Sequence, residues 1–114
     1  MSQAPTPQSP ERNAIAWSDV RRADQFHHWL TQLVEPQGLQ PSSLRLASAD
    51  ASFRRYFRID TQGGDSRIIM DAPPDKENSQ PFVRVATLMH AAGVLAPQVL
   101  AWDEPLGFML LTDL

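Results

Sequence analysis

Apolar residues change their spacing several times along this chain, and each change marks an element. Phe26, Trp29, Leu30 and Leu33 recur at the three-and-four spacing of one helix face, with Val20 and Ala23 upstream. Ser18 is placed to cap this helix, Asp19 suits its first turn, and Glu35-Pro36 with Gly38 should stop it. Three strand-like runs follow: Leu44 with Leu46, then residues 53–59, then residues 67–70. Gln62-Gly63-Gly64-Asp65 reads as the turn between the second and third. Asp71-Ala72-Pro73-Pro74-Asp75 suits neither a strand nor a helix. A second helix is predicted from Ser79, with Pro81 in its first turn and a buried stripe of Phe82, Val85, Ala86 and Met89; Gly93 lies just past its end. Residues 99–102 and 108–111 form two further strands around the turn Glu104-Pro105-Leu106-Gly107. Short connections favour antiparallel pairing. The prediction is an α+β domain, a five-stranded antiparallel sheet with two packed helices.

Composition narrows the function more than the fold. A length of 114 residues allows one domain with a modest core. A net charge of −3 provides no basic field, so nucleic acid and anionic membrane surfaces are not expected partners. The absence of cysteine excludes disulfides, thiolate metal sites and a cysteine nucleophile. No apolar run approaches the ~20 residues that span a bilayer, and the start lacks a signal-peptide pattern, so a cytoplasmic protein is expected. Pro5, Pro7 and Pro10 among Ser, Gln and Thr make residues 1–17 an expected disordered tail, with the domain at 18–114. His27 and His28 are adjacent, so on a helix they point apart and cannot form the i, i+4 metal pair.

The second strand carries the candidate chemistry. Alternation places Phe53, Arg55, Phe57 and Ile59 on one side and Arg54, Tyr56 and Arg58 on the other. Arginines grip phosphate bidentately, which makes this run a candidate anion site. From spacing alone the plainer reading comes first: a strand whose Arg54 and Arg58 are solvated, with Arg55 reaching water from the strand end. The small polar segment Ser48-Ala49-Asp50-Ala51-Ser52 before it can present backbone N–H groups to an anion, or simply turn the chain.

Ser48 to Arg58, Ile69-Met70-Asp71-Ala72-Pro73-Pro74, Pro81 to Ala86, Ala92-Gly93-Val94, Pro97 to Ala101 and Leu110-Leu111-Thr112-Asp113-Leu114 occur in an order that resembles the N-terminal lobe of aminoglycoside-phosphotransferase-like kinases. Within them the similarity is to bacterial anomeric kinases of N-acetylmuramate and N-acetylglucosamine. This resemblance implies a protein-kinase-like N-terminal lobe and ATP-dependent phosphoryl transfer, with Mg²⁺, to an amino sugar in cell-wall recycling. It implies that Ser48, Asp50, Ala51, Ser52, Phe53, Arg54 and Arg55 cover the phosphates. Thr112, Asp113 and Leu114 would form the hinge whose backbone meets the adenine edge.

The chain departs from the kinase pattern in ways that shape the expectation. Residues 48–54 contain no glycine, and the third strand, Arg67-Ile68-Ile69-Met70-Asp71, carries no lysine. Phe82 stands where a partner glutamate is expected; Lys76 and Glu77 are weak substitutes, and the arginines of the second strand are candidates for the missing charge. None of His27, His28 and His90 is followed two residues later by Asp, so no catalytic base is identified and no metal ligand is assigned. The expectation is a nucleotide-binding lobe without its C-terminal lobe, a fragment that binds ATP weakly and is inactive alone. A non-catalytic interaction module built on that lobe, and an RNA-binding domain built on the Arg-aromatic strand, are the competing readings.

Overall fold

The computed structural model describes residues 15–49, 54–93 and 95–113. Helix α1 spans Val20–Gln37, strand β1 Leu39–Ala49, β2 Arg55–Thr61 and β3 Ser66–Asp71. Helix α2 spans Gln80–Ala91, followed by β4 Val99–Asp103 and β5 Phe108–Thr112. The strands form one sheet in the order β1-β2-β3-β5-β4, every neighbouring pair antiparallel. This is the expected α+β architecture, a kinase-like N-terminal lobe.

Asp19, one residue later than the expected cap, closes the start of α1 by accepting the Arg21 N–H at 3.0 Å. Pro36 does not stop the helix. It sits in the last turn, and Gly38, with φ 64°, ends α1 in the left-handed conformation and donates to the Glu35 and Val34 carbonyls. Strand β1 begins earlier than Leu44 and carries Pro41, which an edge strand tolerates. Bulges shift its register against β2 between Gln40 and Arg45 and again between Leu46 and Ser48.

The two sheet faces are packed differently. On one, Phe57, Ile59, Ile69, Phe108 and Leu110 meet Phe26, Trp29 and Leu30 of α1, all buried. Fully burying each such large side chain stabilises the fold by about 1.5–3 kcal/mol. Ile15 and Trp17, assigned by sequence to the tail, pack against this core; the Trp17 ring lies 5.2 Å from that of Phe26. The rest of the expected tail, residues 1–14, lies outside the described residues. Val20, expected near the core stripe, is exposed at the first residue of α1.

On the other face, Met70, Ala72, Met109 and Leu111 form a second cluster against which Tyr56, Ile68, Phe82, Val83 and Trp102 are partly buried. Helix α2 lies here, and its packing differs from the predicted stripe. Ala86 is buried and Phe82 is part-buried, but Val85 and Met89 are exposed at 53% and 38%. Val83 takes their place against the cluster, so the helix is rotated away from the face its periodicity suggests.

Candidate functional site

Alternation in β2 decides what each arginine does. Arg55 stands directly opposite Asp71 on β3, on the face covered by α1. The Asp71 carboxylate is almost fully buried and accepts from two guanidinium groups. Arg22 Nε and Nη2 bond Oδ1 at 3.0 and 2.6 Å, and Arg55 Nε and Nη2 bond Oδ2 at 3.2 and 3.0 Å. The third nitrogens reach backbone carbonyls, Arg22 Nη1 that of Leu106 and Arg55 Nη1 that of Ala16, both at 2.7 Å. Arg55 also lies over Trp17, its guanidinium carbon 4.5 Å from the ring centre. Every side-chain nitrogen of both arginines thus has a protein partner, and the cluster ties the segment before α1 to the ends of β2 and β3. Arg55 is a structural ion-pair residue in this arrangement, not a group facing the other side of the sheet.

The opposite face carries a groove of about 460 Å³, within the range of small-molecule sites. Tyr56, Ile68, Leu111 and Phe82 supply its apolar walls, and Ser48, Arg58, Thr112 and Asp113 its polar groups. The sheet register explains the grouping: Arg58 pairs with Ile68 and Ile68 with Leu111, so three adjacent strands point these side chains the same way. Phe82 reaches in from the first turn of α2.

One end of the groove is held by ions. Asp113 accepts from Arg58 Nε at 2.8 Å and from the Ser66 hydroxyl at 2.6 Å. These two hydrogen bonds, Arg58 first, keep the Asp113 carboxyl below its ordinary pKa despite opposing desolvation. The same contact with Asp113 raises Arg58. Next to it, the Thr112 N–H donates to the Gln98 carbonyl at 3.0 Å, and the Thr112 hydroxyl accepts the Gln98 N–H at 2.8 Å. The end of β5 is therefore fixed to β2, β3 and the approach to β4.

Arg54 lies toward the other end, on the face of Tyr56 and Arg58, just before β2. Its Nη2 donates to Glu77 Oε1 at 2.8 Å. A hydrogen bond to the Tyr56 side chain, opposed by partial burial and reinforced by Glu77, raises its pKa.

The structure thus brings Ser48, Thr112 and Asp113 to one groove, with Arg54 on the same face, and sends Arg55 to the other side. Asp50, Ala51, Ser52, Phe53 and Leu114 lie outside the described residues. Sequence reasoning missed Tyr56, Ile68, Phe82 and Leu111 as a shared wall. The signal was there in the period-two alternation of β2 and β3, but the neighbour of β3 is β5, with α2 and β4 between them in the chain. His27 and His28 are both exposed on α1. Among the described residues no three His, Cys, Asp or Glu side chains converge in a way that suits a metal.

Similarity to known proteins bears on this face. Over 105 residues the chain is 49% identical to an N-acetylmuramate/N-acetylglucosamine kinase of Pseudomonas aeruginosa, covering 85% of this chain and 30% of the relative. It is 43% identical over 95 residues to a protein of the same name from Neisseria meningitidis serogroup B, covering 83% of this chain and 27% of that one. A third of that name, from Pseudomonas putida, is 55% identical over 73 residues, covering 63% and 21%. The chain spans under a third of the length of these curated relatives. No solved structure matches it significantly. Residues 43–114, which hold the whole sheet apart from the start of β1, match the phosphotransferase enzyme family, and the chain belongs to that family.

Proposed function

We propose that this chain is the nucleotide-binding lobe of an ATP-dependent kinase acting on N-acetylmuramate or N-acetylglucosamine, in cell-wall sugar recycling in the cytoplasm. The groove carries the reading. A flat base fits between the apolar walls of Tyr56, Ile68, Phe82 and Leu111, with Thr112 and Asp113 at the end of β5 beside it. The names of the relatives supply the sugar. ATP with Mg²⁺ would bring the transferable phosphoryl group and its charge neutralisation. This chain's part is to seat the base and direct the phosphates. The chain spans under a third of the length of its curated relatives, and the role proposed for it is the seating of the nucleotide, not the transfer step.

Titration of the isotope-labelled chain with adenosine, followed by amide NMR, tests the proposal at the millimolar affinities expected of half a cleft. Shifts centred on Ile68, Leu111 and Thr112 are expected. Shifts scattered over both faces, or none, would overturn it. In a coupled assay with ATP, Mg²⁺ and N-acetylmuramate, the chain alone should give no turnover above background.

A further inference from the structure

A carboxylate and a guanidinium stand at the polar end of the groove with bonding capacity left over. The two Asp113 oxygens are used unequally. Oδ2 accepts from Arg58 Nε at 2.8 Å and from the Ser66 hydroxyl at 2.6 Å, whereas Oδ1 has only Arg58 Nη2 at 3.5 Å. A carboxylate oxygen has two lone pairs, so Oδ2 is filled and Oδ1 is open. On the cation, Nη1 bonds no described residue, and the Arg58 side chain is 41% exposed. Both residues line the groove together with Leu111 and Thr112. The Thr112 N–H is spent, because it donates to the Gln98 carbonyl. This end of the groove therefore presents an acceptor next to donors, and both belong to side chains.

We infer that Arg58 and Asp113 read the edge of the bound base through their side chains, and that this lobe takes guanine nucleotides as well as adenine ones. The inference rests on the nucleotide reading of the groove and widens the phosphoryl donor from ATP to purine nucleoside triphosphates. Any base edge with a donor beside an acceptor satisfies the pair. Adenine offers its N6 amino group and N1; guanine offers its N1–H and O6. In each case the donor goes to Asp113 Oδ1 and a free Arg58 N–H meets the acceptor, both as charge-assisted hydrogen bonds. Guanine presents the two groups in the reverse order. Side chains follow that reversal by a change of rotamer, whereas a peptide fixed in a strand cannot. The carboxylate is ionised at neutral pH, since Arg58 and Ser66 hold it below its ordinary range, so Oδ1 is an acceptor whenever a base arrives. The apolar walls set the other half of the preference: two fused rings bury more surface there than one, which favours purines over pyrimidines.

The test titrates the isotope-labelled full chain with AMP, GMP and N6,N6-dimethyl-AMP, following backbone amides and arginine Nε–H signals by NMR. AMP and GMP should bind within about fivefold of each other, and both should shift the Arg58 Nε–H with the amides of Leu111 and Thr112. Dimethylation keeps the rings and the phosphate but removes the N6 donor, and should weaken AMP about tenfold, the loss of one charge-assisted bond. Asp113→Ala should weaken AMP by a similar factor and abolish the dimethylation penalty. If AMP binds and GMP is weaker by more than fivefold, or if dimethylation costs nothing in the unaltered chain, the side chains do not read the base and the nucleotide site stands without them. If none of the three ligands binds, both readings fall. The dispersion of the variant's spectrum reports its folding, and the dimethylated ligand on the unaltered chain carries the test if Asp113→Ala does not fold.

Discussion

Asp113 shows how a single carboxylate sets the local response to pH. Its pKa is lowered in the folded chain by Arg58 and Ser66. A depressed carboxylate stabilises the fold above its ordinary pKa of about 3.9 and loses that contribution as pH falls through the folded value. Arg58 is 41% exposed, so solvent screening limits the pair to about 1 kcal/mol. Asp113→Asn should lower Tm by roughly 4–8 °C at pH 6 for a chain of this size. At pH 3 and below the gap between the two proteins should shrink, and an undiminished gap would show that the ion pair is not its source. Asp71 is the contrasting case. Its burial and double arginine partnership were not legible beforehand, because Arg22 lies 49 residues away on a helix whose rotation the sequence does not specify. What could be read was alternation: Arg54 and Arg55 had to face opposite sides, and they do. Which side held the groove depended on where α1 and α2 packed.

Elements were placed well by period and turn chemistry, and poorly wherever a distant contact decided. The hairpin through Gln62-Gly63-Gly64-Asp65 closes as its glycines suggest, with the Thr61 N–H donating to the Asp65 carbonyl at 2.8 Å. The α2 stripe failed, since Val85 and Met89 repeat at helical spacing yet find nothing to cover them. The tail limit failed at Trp17, whose neighbours Phe26 and Phe57 belong to two later elements. Gly107 belongs to the predicted turn, but its larger role is to let two segments cross. Its carbonyl accepts the Ala72 N–H at 2.9 Å and its own N–H donates to the Asp103 carbonyl at 2.8 Å. With φ 79° it also occupies the left-handed region. A Cβ there would collide with the Ala72 carbonyl oxygen and approach Pro74 Cδ to 2.9 Å. Gly107→Ala should therefore cost about 2 kcal/mol or more, a fall in Tm of roughly 10 °C. Gly63 is a fair control, having no atom nearer to an added Cβ than Thr61 Oγ1 at 3.8 Å. Gly63→Ala should stay within about 0.5 kcal/mol. Equal losses in the two variants would mean that the crossing at Ala72 is not as tight as the geometry requires.

Across the whole molecule the sheet divides a well-packed side from a loosely packed one, and the groove lies on the loose side. Helix α1 buries Phe26, Trp29 and Leu30, whereas α2 buries only Ala86 among its residues. Ser79, at the α2 N-cap, makes no side-chain capping bond. The shortfall is at least one large buried side chain, about 2–3 kcal/mol, so local opening of α2 should be easier by that amount. Hydrogen exchange should show α2 amides exchanging about a hundredfold faster than those in the middle of α1 and in β2, β3 and β5. Because Phe82 both belongs to α2 and lines the groove, a base bound there adds contacts that only the closed helix can make. Adenosine should then slow exchange in α2 while leaving α1 unchanged. Uniform protection without ligand would contradict the packing asymmetry. Ligand protection confined to β3 and β5 would remove Phe82 from the site and leave the groove a feature of the sheet alone.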